Sequence, residues 1–527
     1  MVFNFLNKKK SNSIINALSD EPNTPVPIIA MLPYLFLQND TTVGLSNDAI
    51  MQSIRVEGLD SLTGKEASLE SIRNILSKVI RGAGDNFEFY IHKISKVIFD
   101  EDFPAPLQTN DFASAVDGAW KTHLDSCDLR DKNITISIIK RASIVQRISK
   151  FGGLNENNRA ENKIENIEEL SKIVGQLISG LSAINPKILS AKKGELLGFL
   201  ASIFSGKEYP VFPSKGLVLV GDAIVSDRIT FQKDHFTLSE GPLGERFGAT
   251  RILKEYPEST WVTLFDELPI GTDYVITQSF TGVSDQTAAS TILKRMKIVD
   301  NNNVGNVSAY AEMQIALDEA SSHLKSWGHH QLTITLFDKD LKKLRKRLAV
   351  LDGIATHVGA KFVEDRANKK ANFFSQFPGN SNKRVRASLI NDENFADMAS
   401  LHRSSSGKPR EVLPWKEPIL ALPTVDGSLF NFSFHAKGKQ EGEPSAAHTV
   451  IFGRTGGGKT ALVAMLMAAA KRVNARVFVL DYRKGLEMQV AALGGKYSTV
   501  EVGKKTGLNP LSTETEEEGI LWLSDWV

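Results

Sequence analysis

The chain has 527 residues, room for several domains at roughly 100–200 residues each. It is 42% hydrophobic and 24% charged, which excludes a disordered or fibrous chain and provides for a sizeable core. A formal net charge of +2, with acids and bases interspersed, argues against a nucleic-acid surface over the whole molecule but leaves room for a local one; the single cysteine, Cys127, excludes an intramolecular disulfide.

The opening "MVFNFLNKKKS" sets its few apolar residues before the lysines, the reverse of a secretory signal, and residues 1–25 read as polar and loose. "VPIIAMLPYLFL" (26–37) is the most apolar run. It is interrupted by Pro27 and Pro33 and falls short of the ~20 apolar residues of a spanning helix, so it reads as buried or interfacial. Ile50–Glu57 has strand character. Ser68–Arg81 reads as a helix with Leu69, Ile72, Ile75, Leu76, Val79 and Ile80 on one face, closed by Gly82 and Gly84. "FEFYIHK" alternates through Phe87, Phe89 and Ile91 as a strand does, and so does 133–141.

Residues 154–170 begin polar and turn helical, as a linker or one long solvated helix, and helix continues to about Ala201. Gly216–Phe236 returns to strand character, and 272–280 is a strand. Helices cover 285–299 and 306–327, and 331–337 is a strand with Leu332, Ile334 and Leu336 on one face. The helix after it carries a stripe of Leu341, Leu344, Leu348 and Leu351. Its "KKLRKR" (342–347) reads as a solvated face. The Ser-, Pro- and charge-rich stretch 402–418 marks a domain boundary, and "ALPTVDGSLFNFSFH" reads as a hairpin turning at Asp426-Gly427.

Near the end of the chain, "IFGRTGGGKTAL" meets the pattern G-x-x-x-x-G-K-[ST] with Gly453, Gly458, Lys459 and Thr460. His448–Phe452 before it is apolar and β-branched, and "ALVAMLMAAAKR" after it is built of helix formers, the strand–loop–helix order a phosphate cradle needs. Glycines 453, 456, 457 and 458 let the backbone curl so that N–H groups face phosphate oxygens. The expected nucleotide-binding set is Gly453, Arg454, Thr455, Gly456, Gly457, Gly458, Lys459, Thr460 and Ala461. Lys459 is the catalytic group that reaches the β- and γ-phosphates, and Thr460 ligates Mg²⁺ through its hydroxyl. The next segment, "ARVFVLDYRKG", reads as a strand ending in Asp481, which either takes part in nucleotide binding or simply ends the strand beside the site.

Other features have blander alternatives. "NKKANFFSQFPGNSNKRVR" (368–386) mixes bases with Phe373, Phe374 and Phe377, either a nucleic-acid stacking surface or, with more support, a structural segment. His329-His330 lacks further His or Cys at ligand spacing and reads as non-metal. "TETEEEG" (513–519) reads as an acidic helix start.

At these residues the chain resembles the large ATPases of type IV secretion and conjugation, the CagE/TrbE/VirB group (the fourth VirB component). "GRTGGGKT" looks like their Walker A loop, and "VLDYRKGLEMQVAALGGKY" and "GLNPL" (507–511) look like the blocks that follow it. "LPYLFL", "SIRVEGLD", "EYPEST", "DYVITQSF", "GHHQLTITLF", "FFSQFPGN" and "SLHRSSSGK" stand in family order across nearly the whole chain. The resemblance implies an α/β and α+β multidomain protein: α+β subdomains at 1–160 and 161–400, a linker at 401–425, and an incomplete RecA-like P-loop NTPase domain at 426–527.

It further implies ATP and Mg²⁺ as cofactors and a cytoplasmic location, peripheral at the bacterial inner membrane. Other channel components would be partners, with homo-oligomers once the ATPase domain is completed, and nucleic acid is not expected to bind directly. The chain departs from the family in carrying Arg483 where members often have an acid, so that acid's role does not carry over. It also stops before the Walker B strand and the arginine-bearing segments, so it is expected to hydrolyse ATP poorly alone. Alternatives are a truncated interaction module of the same machine and, more weakly, a DNA-translocating relative of HerA/FtsK motors.

Overall fold

The computed structural model describes residues 28–526, apart from 97, 99–101, 108–109, 128, 143–155, 215–218, 267–270, 302–306, 400, 437–446 and 506–515. The expectations for residues 1–25 and for "GLNPL" lie outside the described residues. The chain divides into two compact units. One comprises Met1–Asp100, Asp128–Ser406 and Pro423–Phe430, the other Glu101–Cys127, Gly407–Leu422 and Asn431–Val527.

The first unit is built on one antiparallel sheet. Its strands are β1 (Tyr34–Leu37), β2 (Thr42–Leu45), β3 (Ile50–Val56), β4 (Phe87–Lys96), β5 (Asp131–Lys140), β6 (Lys187–Ile188), β7 (Arg228–Phe231), β8 (Phe236–Ser239), β9 (Arg246–Glu255), β10 (Asp273–Gly282), β11 (Trp327–Asp338), β12 (Lys361–Val363) and β13 (Ser388–Asn391). The main order is β1-β2-β3-β5-β4-β10-β11-β9-β8-β7, with β6 on β3, β12 on β9 and β13 on β11. The β4–β10 pairing, with Val275 opposite Ile94 and Phe280 opposite Phe89, joins the segments that the sequence separates at residue 160.

Side-chain alternation gives this sheet two apolar faces. Ile134, Ile136 and Ile138 of β5 share one core with Phe87, Phe89 and Ile91 of β4. Ile139, Tyr90 and Met51 point into a second core on the other face. Helices cover both, because a sheet apolar on both faces is stable only when both are removed from water, at about 1.5–3 kcal/mol per large side chain. The helix Glu66–Ala83 buries Ile72, Leu76 and Ile80 on the first core, and Leu341–His357 adds Leu344, Leu348 and Leu351. The second core takes the helix Glu195–Ser205, buried from Leu196 to Ser205, together with Phe373, Phe374 and Phe377.

Some boundaries differ from the sequence reading. Helix 156–180 ends well before Ala201, and Lys187–Ile188 pairs with β3 before the next helix begins at Glu195. Gly216–Phe236 includes a short helix, Val220–Ile224, ahead of β7. The helix expected to reach 327 stops at Ser321, because Trp327 already pairs with Asn391 in β11–β13. The apolar run at 26–37 packs Leu32 and Tyr34 into the second core. Among the described residues no helix is long and apolar enough to cross a membrane.

Two core histidines make a testable point. His92 shares a 2.8 Å hydrogen bond with the Gln376 carbonyl, and His330 Nδ1 lies 2.8 Å from the Tyr256 hydroxyl. Burial holds His92 down at about 4. Burial, helped by Arg384, holds His330 down at about 3. Both therefore stay neutral in the fold while the unfolded chain protonates near 6.5. Below pH 6.5 the unfolded state binds more protons, so stability falls with pH by up to about 1.4 kcal/mol per unit for each histidine. Denaturation midpoints between pH 6.5 and 5 should show this slope, and His92→Gln, which keeps a donor for Gln376, should flatten it. An unchanged slope would assign the acid sensitivity to other groups.

In the second unit, the helix Lys459–Ala469 follows the glycine loop and packs on two sides. Met467 and Ala468 meet Leu107, Ala113, Leu486 and Leu493, while Leu466 and Ala469 meet Ile419 and Leu420. The helix Asp111–Ser126 supplies part of this cover. The Arg472 guanidinium donates to Asp117 Oδ1 at 2.6 Å and to the Ile419 carbonyl at 3.2 Å, and Trp120 Nε1 donates to the Ala421 carbonyl at 2.8 Å. A two-stranded hairpin, β14 (Leu420–Pro423) with β15 (Leu429–Phe432), turns at Asp426-Gly427 as the sequence anticipates, with Gly427 at φ +77°.

Candidate functional site

The loop 453–458 runs directly into the helix beginning at Lys459. Gly456 and Gly458 sit at φ +77° and +82°, the left-handed region that side-chain-bearing residues rarely adopt. The Gly457 N–H donates to the Arg454 carbonyl at 3.0 Å, and the Gly458 carbonyl accepts from Leu462 N at 2.9 Å, starting the helix. A Cβ on Gly457 would stand 3.0 Å from the Arg454 carbonyl oxygen, so the turn leaves little space there.

The Lys459 ammonium folds back over the loop and donates to the carbonyls of Gly453 at 2.8 Å and Arg454 at 2.9 Å. The sequence-derived set Gly453, Arg454, Thr455, Gly456, Gly457, Gly458, Lys459, Thr460 and Ala461 is thus contiguous on one exposed loop and first helical turn. Lys459 is drawn over it, and Thr460 is exposed one residue further on.

Asp481 lies in a tight turn. Its carboxylate accepts from Leu486 N at 2.8 Å, Arg483 N at 3.3 Å and the Tyr497 hydroxyl at 3.3 Å. The bond from Leu486 N, foremost among these, holds its pKa below the usual carboxylate range. The turn brings Gly485 against Thr460, where a Cβ would stand 3.3 Å from the threonine methyl. Sequence reasoning missed this approach; the glycine was its only trace. The bond from Gln489 Nε2 to the Ala464 carbonyl, 2.9 Å, left no trace in the spacing.

Two expected strands are not formed. Residues 448–452 and 476–480 carry no β-ladder. A strand is stabilised by neighbours on both edges, and among the described residues none pairs with these segments. Their alternation is nevertheless kept. Ile451 and Val479 pack toward the helix 459–469, while Phe452, Phe478 and Leu480 are 88–89% exposed.

His330 is buried against Tyr256 and Phe395, and no cluster of metal-ligating side chains occurs among the described residues. Phe373, Phe374 and Phe377 are core residues, not a stacking platform. The bases of 342–347 lie largely on an exposed face, with Arg345 paired to Asp234 and Arg347 to Asp338. The helix Glu517–Trp526 opens on Glu517 and Glu518.

A large antiparallel sheet covered on both faces, followed by a Gly-x-x-x-x-Gly-Lys-Thr loop heading a helix, defines a mixed α/β chain. Residues 181–386 match the family model described as "CagE, TrbE, VirB family, component of type IV transporter system". Residues 41–145 match that of the "Type IV secretion system ATPase VirB4/TrbE, N-terminal domain". The chain belongs to this CagE/TrbE/VirB family. It is 28% identical over 519 residues to the type IV secretion system protein virB4 of Bartonella quintana and 29% identical to that of Bartonella henselae, covering 94% of this chain and 63% of each relative. Protein virB4 of Rhizobium radiobacter is 26% identical over 520 residues, with the same coverage. The chain therefore spans somewhat under two thirds of the length of these curated relatives.

Proposed function

We propose that the chain is a nucleotide-binding, energising subunit of a type IV secretion machine, with Mg-ATP as its ligand and part of a RecA-like P-loop fold within 426–527. The observation that carries this reading is the loop 453–458, with two left-handed glycines and a lysine ammonium folded over it. Lys459 is held there by neutral carbonyls, and a phosphate oxygen offers it a stronger, charge-assisted partner. Gly456 and Gly458 keep the backbone bare where phosphates would lie, and the exposed Thr460 hydroxyl would join a divalent ion's coordination. When bound, Mg-ATP supplies the phosphoanhydride and the counter-charge of the ion.

Asp481 is engaged by its own turn, and Arg483 stands where an acid would be expected. Binding without rapid turnover is the resulting expectation for this chain. Family membership supports a place among other secretion components at the inner membrane face, without direct nucleic-acid binding. A second reading, as an interaction module of the same machine, is favoured by exposed Phe452, Phe478 and Leu480.

Lys459→Ala tests the first reading. Calorimetric or fluorescent-nucleotide titration of the 527-residue chain should show Mg-ATP binding, weakened about ten- to a hundredfold in the variant. Equal affinity in both proteins would remove the loop from the site. Rapid phosphate release by the unaltered chain, lost in the variant, would overturn the expectation of slow turnover.

A further inference from the structure

Five basic residues, Arg366, Lys369, Lys370, Lys383 and Arg384, line one open cavity of about 670 Å³ in the sheet unit. Their partners determine what this concentration of charge means. Among the described residues only Arg366 is matched by a carboxylate, Glu364 at 3.2 Å. The neighbouring Asp365 is engaged by Arg386, also at 3.2 Å. Lys369 is anchored by the carbonyls of Gln232 and Lys233. Arg384 spends its donors on neutral acceptors, namely the Ser381 carbonyl at 3.1 Å, the His329 carbonyl at 2.6 Å and the Thr281 hydroxyl at 2.6 Å. Among the described residues Lys370 and Lys383 form no ion pair. Four cations thus line one concavity with no acidic partner among the described residues.

Carbonyl and hydroxyl acceptors orient a guanidinium but do not cancel its charge, so the lining of the cavity stays positively charged. Nearby groups register it: His329 is held below its usual pKa by burial first and Arg384 second. Lys383 is itself partly desolvated, and burial draws its pKa down; an anion beside it would offset that cost.

We propose that this cavity is a binding site for a small anionic, phosphate-bearing ligand, distinct from the glycine loop. Its volume falls within the ~300–1,000 Å³ usual for small-molecule sites. Met31 and Phe231 add apolar wall for the uncharged part of such a ligand. A nucleic-acid strand is disfavoured because the aromatics interleaved with these bases, Phe373, Phe374 and Phe377, are buried in the core and leave no surface for base stacking. Phosphate groups of this kind reach a protein either on a free metabolite or on a phospholipid headgroup. The recognition chemistry is shared; the source is a matter for experiment.

The test uses the full chain carrying Lys459→Ala, so that the glycine loop does not contribute and the two sites can fail independently. Pyrophosphate is titrated by calorimetry, and phosphatidylglycerol vesicles, with phosphatidylcholine vesicles as control, are assayed by flotation. At least one arm should show binding that weakens with added salt and falls more than about tenfold on adding Lys370→Glu and Lys383→Glu. The charge-reversed protein should keep its thermal melting profile, since neither lysine side chain has a hydrogen-bond or ion-pair partner among the described residues. Pyrophosphate binding identifies a free ligand, and selective flotation a headgroup. Absence of both, or binding undiminished by the double reversal, overturns the proposal. So does binding confined to a single-stranded oligonucleotide that is lost in the same variant.

Discussion

Replacing Asp392 by alanine is expected to destabilise the sheet unit by about 3 kcal/mol. The side chain is fully buried, and each of its oxygens has a structural task. Oδ2 accepts from the Ser77 hydroxyl at 2.7 Å and from Arg81 Nη2 and Nε at 2.8 and 3.1 Å, which ties it to the helix Glu66–Ala83. Oδ1 accepts from Ser326 N at 2.9 Å, just before β11. Alanine leaves the buried Ser77 hydroxyl and the Ser326 N–H without an acceptor. Arg81 loses less, because its side chain is 36% exposed and retains Glu393 at 3.3 Å. This places the effect at the lower end of what breaking a buried pair costs. Asparagine should not rescue it fully, since whichever way its amide turns, the NH2 group faces a donor, either Arg81 and Ser77 or the Ser326 N–H. Urea denaturation of Asp392→Ala, Arg81→Ala and the double variant gives the measurement. The single Asp392 change should dominate, with a coupling of about 1–2 kcal/mol to Arg81. A loss below about 0.5 kcal/mol would mean that water replaces these contacts.

This pairing also illustrates what the sequence makes legible. The helix Glu66–Ala83 and the strands β4 and β5 follow from local periodicity, because one apolar face must be buried whatever lies opposite. That Arg81 meets Asp392, or that β4 lies beside β10, depends on partners hundreds of residues away and has no local signature. The same holds for Arg472 and Asp117, which bind the 101–127 segment to the region after the glycine-loop helix; nothing in residues 101–127 points to that unit. The glycine loop is the opposite case. Its conformation is dictated by which residues can adopt positive φ, so Gly456 and Gly458 announce it directly. The segments on either side are intermediate. Their alternation is right, with Ile451 and Val479 facing the helix, yet alternation specifies a face and not a ladder. The basic cavity was visible only as a mixture of charge and aromatics, because the buried phenyl rings and the exposed lysines separate only when the backbone folds.

That separation underlies the second large effect. Phe373→Ala is expected to cost about 3–5 kcal/mol, while Lys370→Ala, three residues away, should leave stability nearly unchanged. Phe373 is fully buried at the centre of an aromatic cluster. Its ring centroid lies 4.9 Å from that of Phe236, 5.3 Å from Phe374, 5.7 Å from Phe204, 5.9 Å from Phe231 and 6.0 Å from Phe377, mostly edge to face. These partners come from β7, β8, the helix Glu195–Ser205 and the Phe373 segment itself, so truncation opens a cavity that no single element can close by moving. Edge-to-face geometry is lost along with the buried area, each such pair being worth about 0.5–1.5 kcal/mol. Phe373→Leu, which restores most of the volume, should recover all but about 1–1.5 kcal/mol. Thermal or urea unfolding of the three variants makes the comparison. If Phe373 served a bound strand instead of the core, its removal would leave the midpoint unmoved and weaken oligonucleotide binding. The ring contacts require the reverse: a large loss of stability, with ligand binding at the neighbouring lysines retained wherever the fold survives.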